Sequence, residues 1–336
     1  MKLIILLAYL KKIKENNMKK IANYKNGCVD VTIYDDGTKI REWNDEKYGI
    51  EPELEFPESC DIKITNFCDA GCFMCHEQST TQGKHGNLEK LSDMIERSNL
   101  PEGIEFAIGG GNPLTTPGIE KFLETEKSRN HIINVTMNYN HISPNGKYRQ
   151  QIIDYLKRGL IKGLGVSVMD YNLENFLNDK ELQDVSSNIV IHIIEGINSF
   201  YNVKEKLFNC NWKHPKVLIL GKKNFGRYEM LSEDKKIIDD KQTVIWRENI
   251  LDFLKEFNGI TSFDNLALER LDVLSKLPKE VVDTQYMGND GNHTMYIDFV
   301  KEEYGRQSTS KNRKPIGDKT FREIYKDVYQ HRKEWK

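Results

Sequence analysis

The stretch of the sequence that most constrains the fold runs from Asp61 to His76, DIKITNFCDAGCFMCH. Its first five residues predict a strand, and the loop that follows carries Cys68, Cys72 and Cys75 in the spacing C-x3-C-x2-C. Thiolate is the preferred ligand of iron–sulfur clusters and of soft metal ions. Three cysteines so close on one loop therefore predict a cluster or a metal site at the end of this strand.

The number of these cysteines narrows the kind of site. A structural zinc site requires four ligands in a closed tetrahedron, and an electron-transfer [4Fe-4S] cluster requires four cysteines. Three cysteines leave one iron of a [4Fe-4S] cluster without a protein ligand, much as a catalytic zinc ion keeps one position open. The pattern therefore favours a cluster with an iron that is open to chemistry.

The motif formed by Cys68, Cys72 and Cys75, just after the first strand of a strand–helix pattern, resembles the signature of the radical S-adenosylmethionine (SAM) enzymes. The resemblance implies a [4Fe-4S] cluster on these cysteines, whose open iron binds the amino and carboxylate groups of SAM. It also implies that the reduced cluster cleaves SAM to a 5′-deoxyadenosyl radical. The competing interpretations are a zinc knuckle completed by His76 and a chance spacing.

Composition adds bounds on size and compartment. The 336 residues are 38% hydrophobic and 30% charged, which suits one large soluble domain with additions, or two domains. The net charge of -2 gives no indication for or against a polyanionic partner. Cys28, Cys60 and Cys210 are scattered, unlike a disulfide framework, and we expect buried thiols in a reducing cytoplasm. For Cys210, a role as a radical hydrogen donor is the alternative.

The amino terminus begins with an apolar run from Leu3 to Leu10 that is too short to span a bilayer. No small-residue cleavage site follows it, so we expect neither a secretory signal nor a membrane span. Met18 as the true start is the favoured interpretation, and a short amphipathic helix over residues 1–17 is the alternative. Further on, residues 28–43 alternate around Asp36-Gly37, which predicts a β-hairpin.

From Asp61 onward, short apolar strands alternate with helical patterns, which specifies a parallel sheet covered by helices. The predicted strands span residues 61–65, 104–108, 132–137, 163–168, 188–194 and 217–220. The predicted helices span residues 88–97, 119–128, 148–158 and 203–209. Periodicity does not separate an open doubly wound sheet from a partial barrel. The resemblance implies an α/β fold built on a partial (β/α)6 TIM-type barrel, with a small N-terminal β-hairpin and a C-terminal α+β extension.

This interpretation divides the chain into three parts. We expect an N-terminal extension with the hairpin, a radical SAM core, and a C-terminal substrate-covering region with a basic tail, at residues 1–57, 58–225 and 226–336. Relatives with auxiliary clusters usually hold them in the last part. Because that region lacks a cysteine cluster, we expect a single cluster.

Strand ends are where barrel enzymes place their functional residues. Gly110-Gly111-Asn112-Pro113, after the second strand, is similar to the Gly-Gly-Glu-Pro segment whose backbone meets the amino group of SAM, with Asn112 in place of the acid. Each such residue is alternatively a capping or loop residue. The SAM contacts that the resemblance implies are Met74, Gly110, Gly111, Asn112, Pro113, Asn138, Ser167, Glu195 and Leu220.

Residues 221–227, GKKNFGR, follow the sixth strand and bring Lys222, Lys223 and Arg227 to the expected mouth of the barrel. These cations suit a carboxylate or a phosphate group, and a solvated loop is the alternative interpretation.

The region beyond residue 228 has a different pattern. Residues 250–257 and 266–277 have helical apolar spacing, and residues 285–300 predict a hairpin or covering element that closes the open barrel. Residues 301–336 hold eleven Lys and Arg against six Asp and Glu. This basic tail suits nucleic acid or an acidic leader peptide, and a solvated helical terminus is the alternative. Possible substrate contacts in this region are Asp290, His293, Tyr296 and Asp298.

The sequence therefore favours an enzyme that makes a carbon-centred radical, reduced by a flavodoxin- or ferredoxin-like donor. A peptide or protein side chain is the first substrate class, because the C-terminal region suits an extended ligand, and a nucleotide or nucleic acid is the second. A non-catalytic zinc module and a cluster- and SAM-binding sensor without turnover are the alternatives. Asn112 is the residue that favours the sensor.

Overall fold

The computed structural model describes residues 19–43 and 54–335. The expectations for residues 1–17 lie outside the described residues. Among the described helices, none has the length and apolarity needed to cross a bilayer.

Most strands belong to one large sheet whose core is parallel. The strands are β1 (Lys20–Asn26), β2 (Val29–Tyr34), β3 (Lys39–Glu42), β4 (Ser59–Thr65), β5 (Glu105–Gly110), β6 (Ile132–Asn138), β7 (Gly163–Ser167), β8 (Ile189–Ile194), β9 (Lys216–Leu220), β10 (Ile260–Phe263), β11 (Thr294–Asp298), β12 (Glu303–Gly305) and β13 (Lys314–Pro315). The six strands β4 to β9 match the six predicted strands within two residues at each end. Strand prediction succeeds because runs of Ile and Val bounded by turn residues are a local signal.

The large sheet has the order β10-β9-β8-β7-β6-β5-β4-β11-β12-β13. Strands β4 to β9 pair in parallel with their sequence neighbours, and β10 and β11 extend both ends in parallel. Strands β12 and β13 add antiparallel pairs at the β11 edge. The predicted α/β fold class is confirmed.

Helices cover the outer face of this sheet. They are α1 (Leu88–Arg97), α2 (Ile119–Ser128), α3 (Tyr139–Ile142), α4 (Arg149–Lys157), α5 (Leu173–Leu177), α6 (Lys180–Val185), α7 (Phe200–Asn209), α8 (Glu233–Glu256), α9 (Asn265–Arg270), α10 (Val273–Lys276), α11 (Lys279–Gln285) and α12 (Phe321–Gln330). Helix α1 shows why these elements form. Asn87 caps its amino end by accepting from the amide of Lys90, and Leu88, Leu91 and Ile95 lie on one buried face.

The predicted hairpin around Asp36-Gly37 is present as β2 and β3, and β1 adds a third antiparallel strand. This small sheet meets the amino-terminal ends of the barrel strands. Lys216 Nζ, at the start of β9, donates to the carbonyl of Asp36 at 2.9 Å, and Asn188 Nδ2 donates to the carbonyl of Asp35 at 2.8 Å. The N-terminal sheet therefore covers this end of the barrel.

The C-terminal region contributes more to the sheet than its sequence pattern predicts. The helix predicted at residues 250–257 is the end of the 24-residue α8, and the helix predicted at residues 266–277 is split into α9 and α10. The strand-like run before residue 300 forms β11, which pairs in parallel with β4 and forms a hairpin with β12. The prediction for residues 285–300 was a hairpin or a covering element. The first strand of the hairpin lies in that segment, and the second strand follows it.

The basic tail is not a solvated terminus. Phe321, Ile324, Tyr325 and Val328 are buried along one face of α12, so this helix packs on the barrel. Of the scattered cysteines, Cys60 is buried, Cys210 is half-buried and Cys28 is exposed. The expectation of a buried thiol is therefore wrong for Cys28, which lies in the turn between β1 and β2.

Asn26 fixes the chain where it passes from the N-terminal sheet to the barrel. Its fully buried side chain donates to the carbonyl of Phe56 at 2.9 Å and accepts from the amide of Glu55 at 2.8 Å. We expect Asn26→Ala to lower the free energy of unfolding by about 1–3 kcal/mol, because the substitution leaves buried backbone groups unpaired. Urea denaturation measures the change, with the exposed Asn209→Ala as a control. Equal stabilities for the two variants would contradict this role.

Candidate active site

Side chains from β4 through β11 surround one cavity of about 790 Å³ inside the curved sheet, which we call the chamber. Strand β4 shows how the alternation of strand residues builds it. Asp61 and Lys63 line the chamber, whereas Cys60 and Ile64 are buried in the surrounding core. Across the open side of the sheet, Asn265 Nδ2 donates to Asp290 Oδ1 at 2.8 Å. The chamber is therefore lined by strands, with this bridge across its open side.

The chamber is hollow because its walls carry small residues. Closed barrels usually fill their interior with layers of branched apolar side chains. Here Gly109, Gly163 and Gly165 stand at wall positions, and a Cβ at Gly109 would meet no atom within 4 Å. A Cβ at Gly165 would lie 2.3 Å from the ring of His192, so this glycine makes room for the imidazole.

Two titratable groups in the chamber wall were not identified from the sequence. Burial lowers the pKa of His192 to about 4, so its imidazole is neutral at pH 7. Enclosure and the neighbouring Asp290 raise the pKa of Asp61 to about 6. Strand alternation is the signal that could have identified them, since both occupy inward positions of predicted strands.

The three cysteines lie together at the carboxyl ends of the strands. Cys68, Cys72 and Cys75 all line the chamber and are half-buried. Their sulfur atoms do not all lie within 4.8 Å of one another. One tetrahedral zinc ion would hold its sulfurs about 3.8 Å apart, given Zn–S bonds near 2.3 Å. The three thiols as placed therefore do not form the compact set that one zinc ion requires.

The cysteine loop is held by the segment after β9. Arg227 Nη1 donates to the carbonyl of Cys72 at 3.0 Å, its Nη2 donates to the carbonyl of Ser79, and its amide donates to the carbonyl of Cys75 at 3.1 Å. Gly226, with φ of +72°, lies against the carbonyls of Cys75 and His76. We call these contacts the 226–227 clamp. The interpretation of Arg227 as a phosphate or carboxylate ligand is wrong, because its guanidinium binds backbone carbonyls.

Two further contacts orient the loop. His141 Nε2 lies 2.8 Å from Asp69 Oδ1, next to Cys68. Asn138 Nδ2 donates to Cys72 Sγ at 3.2 Å, while its Oδ1 accepts from the amide of Asn140 and caps α3. The end of β6 thus provides a hydrogen-bond donor to one cysteine sulfur.

The electrostatics around the thiols favour a positively charged partner. Burial raises the pKa of Cys68 and of Cys72, and the neighbouring cysteines raise both further. Thiolates crowded in this way require a cation to stay ionised. The donor set therefore fits an iron–sulfur cluster.

Next to the cysteines lies a network of buried charges. Lys63 forms ion pairs with Glu77 and with Asp298, the latter at 3.0 Å, and Arg313 reaches Asp298 at 3.1 Å. Although burial opposes its ionisation, the hydrogen bonds and charges of His76 and Lys63 hold the pKa of Glu77 well below its usual value. Glu77 and its partners therefore fix the residues that follow Cys75.

Comparison with protein-family models shows which family part of this chain resembles. Residues 62–203 match the family model described as the Radical SAM superfamily. This chain carries a radical SAM domain. The matched residues make up less than half of the 336-residue chain, and the match leaves the reaction unspecified. A comparison with curated protein sequences gave no match.

Solved structures agree on the fold. SuiB of Streptococcus suis bound to the precursor peptide SuiA is similar with a TM-score of 0.57 and 12% identity, over 82% of this chain and 66% of that chain. SuiB bound to S-adenosylmethionine gives a TM-score of 0.56 and 12% identity, over 82% and 68%. This chain thus spans about two thirds of the length of the SuiB chains. At this identity the likeness is one of fold.

Gly110 and Gly111, in the glycine run at the end of β5, allow close packing against the start of the cysteine loop. A Cβ at Gly111 would lie 2.1 Å from the carbonyl oxygen of Phe67, and one at Gly110 would lie 2.3 Å from that of Thr65. Both glycines thus let β5 approach the start of the cysteine loop. The carboxamide oxygen of the fully buried Asn112 accepts from the amide of Leu114, so this side chain caps the following 3-10 turn.

Some of the predicted SAM contacts line the chamber beside the cysteines, and others do not. Asn112, Pro113 and Glu195 are not among the residues that line the chamber. Glu195 is fully buried and accepts from Arg270 and from the amide of Lys222. The predicted contacts that line the chamber with the cysteines are Met74, Gly110, Gly111, Asn138, Ser167 and Leu220.

Two of the four predicted substrate contacts, Asp290 and Tyr296, line the chamber. Asp298 is occupied by the lysine and arginine described above, and burial lowers the pKa of His293 to about 3. The interpretation of Lys222 as a solvated or anion-binding residue is wrong, because it is 2% exposed and its Nζ contacts Tyr228 and Asp240.

Gly226 provides a test of the 226–227 clamp. An added Cβ would lie 2.5 Å from the carbonyl oxygen of His76. We expect Gly226→Ala to lower the free energy of unfolding by about 2 kcal/mol more than Gly118→Ala does, because overpacking adds to backbone strain. Gly118 is the matched control, since its φ is +77° and a Cβ there would meet no atom.

Urea denaturation gives the stabilities, and hydrogen exchange of residues 68–80 reports on the loop. Faster exchange there in Gly226→Ala alone is the expected result. Equal exchange in both variants would mean that residue 226 does not hold the cysteine loop.

Proposed function

We propose that this chain is a radical SAM enzyme that holds one [4Fe-4S] cluster on Cys68, Cys72 and Cys75. The observation that carries the proposal is the position of three thiols on one loop at the mouth of the chamber, within the matched domain. The chemistry that a bound cluster of this class supplies is one-electron cleavage of SAM, giving methionine and a 5′-deoxyadenosyl radical that abstracts hydrogen. The similar fold of SuiB, which was solved with bound S-adenosylmethionine, supports the choice of cofactor.

The chain's own residues bind and orient the reactants in this proposal. The chamber-lining contacts Met74, Asn138, Ser167 and Leu220 surround the space beside the cysteines where SAM would lie. The backbone of Gly110 and Gly111 lies at the same edge. For Asn112, Pro113 and Glu195, we propose support of neighbouring backbone in place of direct contact.

The walls of the chamber exclude bulk water from the radical. We propose the division at residues 57 and 225, with residues 226–336 covering the substrate, because Ser308 and Thr309 also line the chamber. The enzyme would act in a reducing cytoplasm.

A peptide or protein side chain is the substrate class that we propose first. The chamber of about 790 Å³ extends beyond the cysteines toward Asp61 and His192, which leaves room for a substrate beside SAM. The fold shared with SuiB, which was solved with a precursor peptide, supports the same class. A nucleotide is disfavoured, since Lys222 and Arg227 are engaged by protein groups. Lys223 is engaged as well, because its Nζ donates to Ser308 Oγ at 2.8 Å.

The cluster assignment is tested by substitution of one ligand. We expect Cys72→Ala to lose the visible absorption of the anaerobically reconstituted protein and to lower 5′-deoxyadenosine formation at least about a hundredfold, to background. Iron analysis and mass spectrometry of the product measure both effects. Cys28→Ala is the matched control, since Cys28 is exposed. Full turnover by Cys72→Ala would refute the proposal, and colourless protein with bound zinc would support a metal-binding module instead.

Asn138 should tune the cluster that Cys72 helps to hold. Its N–H···S hydrogen bond withdraws charge from the sulfur and favours the reduced state. We expect Asn138→Ser to lower the midpoint potential by about 40 mV, the one-electron equivalent of a hydrogen bond of roughly 1 kcal/mol. Serine keeps a capping oxygen for α3. An EPR-monitored redox titration without SAM measures the shift, and an unchanged potential would exclude this role.

A further inference from the structure

A second cavity, of about 410 Å³, lies beside the cysteine loop and is separate from the chamber. Lys63, His76 and Glu77 line both cavities, so they form the wall between them. Because His76 directly follows Cys75, the floor of this second cavity lies one residue from a proposed cluster ligand. We call it the basic groove.

The wall of the basic groove is firmly held. Lys63 is 3% exposed and is paired with two carboxylates, and the ring of Phe225 meets the ring of His76 edge-on, with centroids 5.7 Å apart. Tyr296 donates to Glu77 at 3.3 Å. A short, rigid and partly aromatic wall of this kind keeps the distance from the groove surface to the cysteine loop constant.

The rim of the groove is positively charged. Lys301 and Lys311 are exposed, and within the described residues neither forms an ion pair. Of the other charged side chains that line the groove, Glu77 is paired with Lys63 and Arg313 with Asp298. Glu303 is the acidic side chain that remains beside the two lysines. Both lysines belong to the C-terminal segment that has five more basic than acidic residues. An acidic protein surface complements such a rim.

We propose that the basic groove is the docking surface for a small acidic one-electron carrier of the flavodoxin or ferredoxin class. In each encounter the carrier would pass one electron to a cluster held beside Cys75, with no bond or proton exchanged. The groove lies outside the chamber, so the carrier can dock while SAM and substrate are bound. This inference rests on the function proposed above.

The test compares two reductants in the same protein. Reduced flavodoxin must dock, whereas dithionite is a small ion that needs no surface. We expect the double substitution Lys301→Glu with Lys311→Glu to lower the ratio of flavodoxin-driven to dithionite-driven 5′-deoxyadenosine formation about tenfold, because charge reversal opposes association. The matched control is Lys241→Glu with Lys279→Glu, two exposed lysines that do not line the groove, and its ratio should equal that of the wild type.

A second measurement uses the wild-type protein and needs no variant to fold. Its Kd for flavodoxin, measured by calorimetry, should rise steeply with added salt, because screening weakens exposed charge pairs. An unchanged ratio in the groove variant, or an equal loss in the control, would overturn the proposal. Loss of binding to an acidic peptide with an unchanged ratio would assign the groove to peptide and would also overturn it. Failure of the proposed function is distinct, since wild-type protein would then give no product with dithionite.

Discussion

The hold of residues 226 and 227 on the cysteine loop is the constraint on which the site depends. The thiols at residues 68, 72 and 75 lie on a segment without regular secondary structure, and its own backbone bonds, such as that from the amide of Cys68 to the carbonyl of Thr80, are few. Arg227 adds hydrogen bonds to this loop by donating to the carbonyls of Cys72 and Ser79, which lie on either side of Cys75 in the chain. Since that arginine follows β9, the loop after β4 is positioned by a strand five places away in the sheet.

The site also requires a hollow interior. This requirement conflicts with the apolar packing of the interior that usually stabilises barrels. The chamber forgoes apolar packing at Gly109, and polar wall residues such as Asp61 would be costly in a closed core. The lost stabilisation is offset by apolar burial outside the chamber. The buried helix-facing sides of the strands and the N-terminal sheet supply the apolar burial that the interior lacks.

Local patterns predicted the strands β4 to β9, the helix over residues 88–97 and the turn at Asp36-Gly37, because each depends on residues that are neighbours in the chain. The partners of Glu195, Lys222 and Arg227 were not predictable. Each contacts residues between 6 and 155 positions away, and no periodic signal encodes such pairings. Strand ends indicated where functional residues gather, but not which side chains face inward.

The C-terminal region contributes a strand, β11, whose long-range pairing with β4 affects the charges beside the cysteines. Strand β11 pairs along the free edge of β4, with Tyr296 opposite Asp61 and Asp298 opposite Lys63. The carboxylate of Asp298 compensates the buried Lys63, which also holds Glu77 beside the cysteines. Removal of β11 would therefore leave a buried lysine with one partner fewer at the wall of the site. Residues beyond 226 are thus part of the sheet that carries the cysteines, and a covering role alone does not describe them.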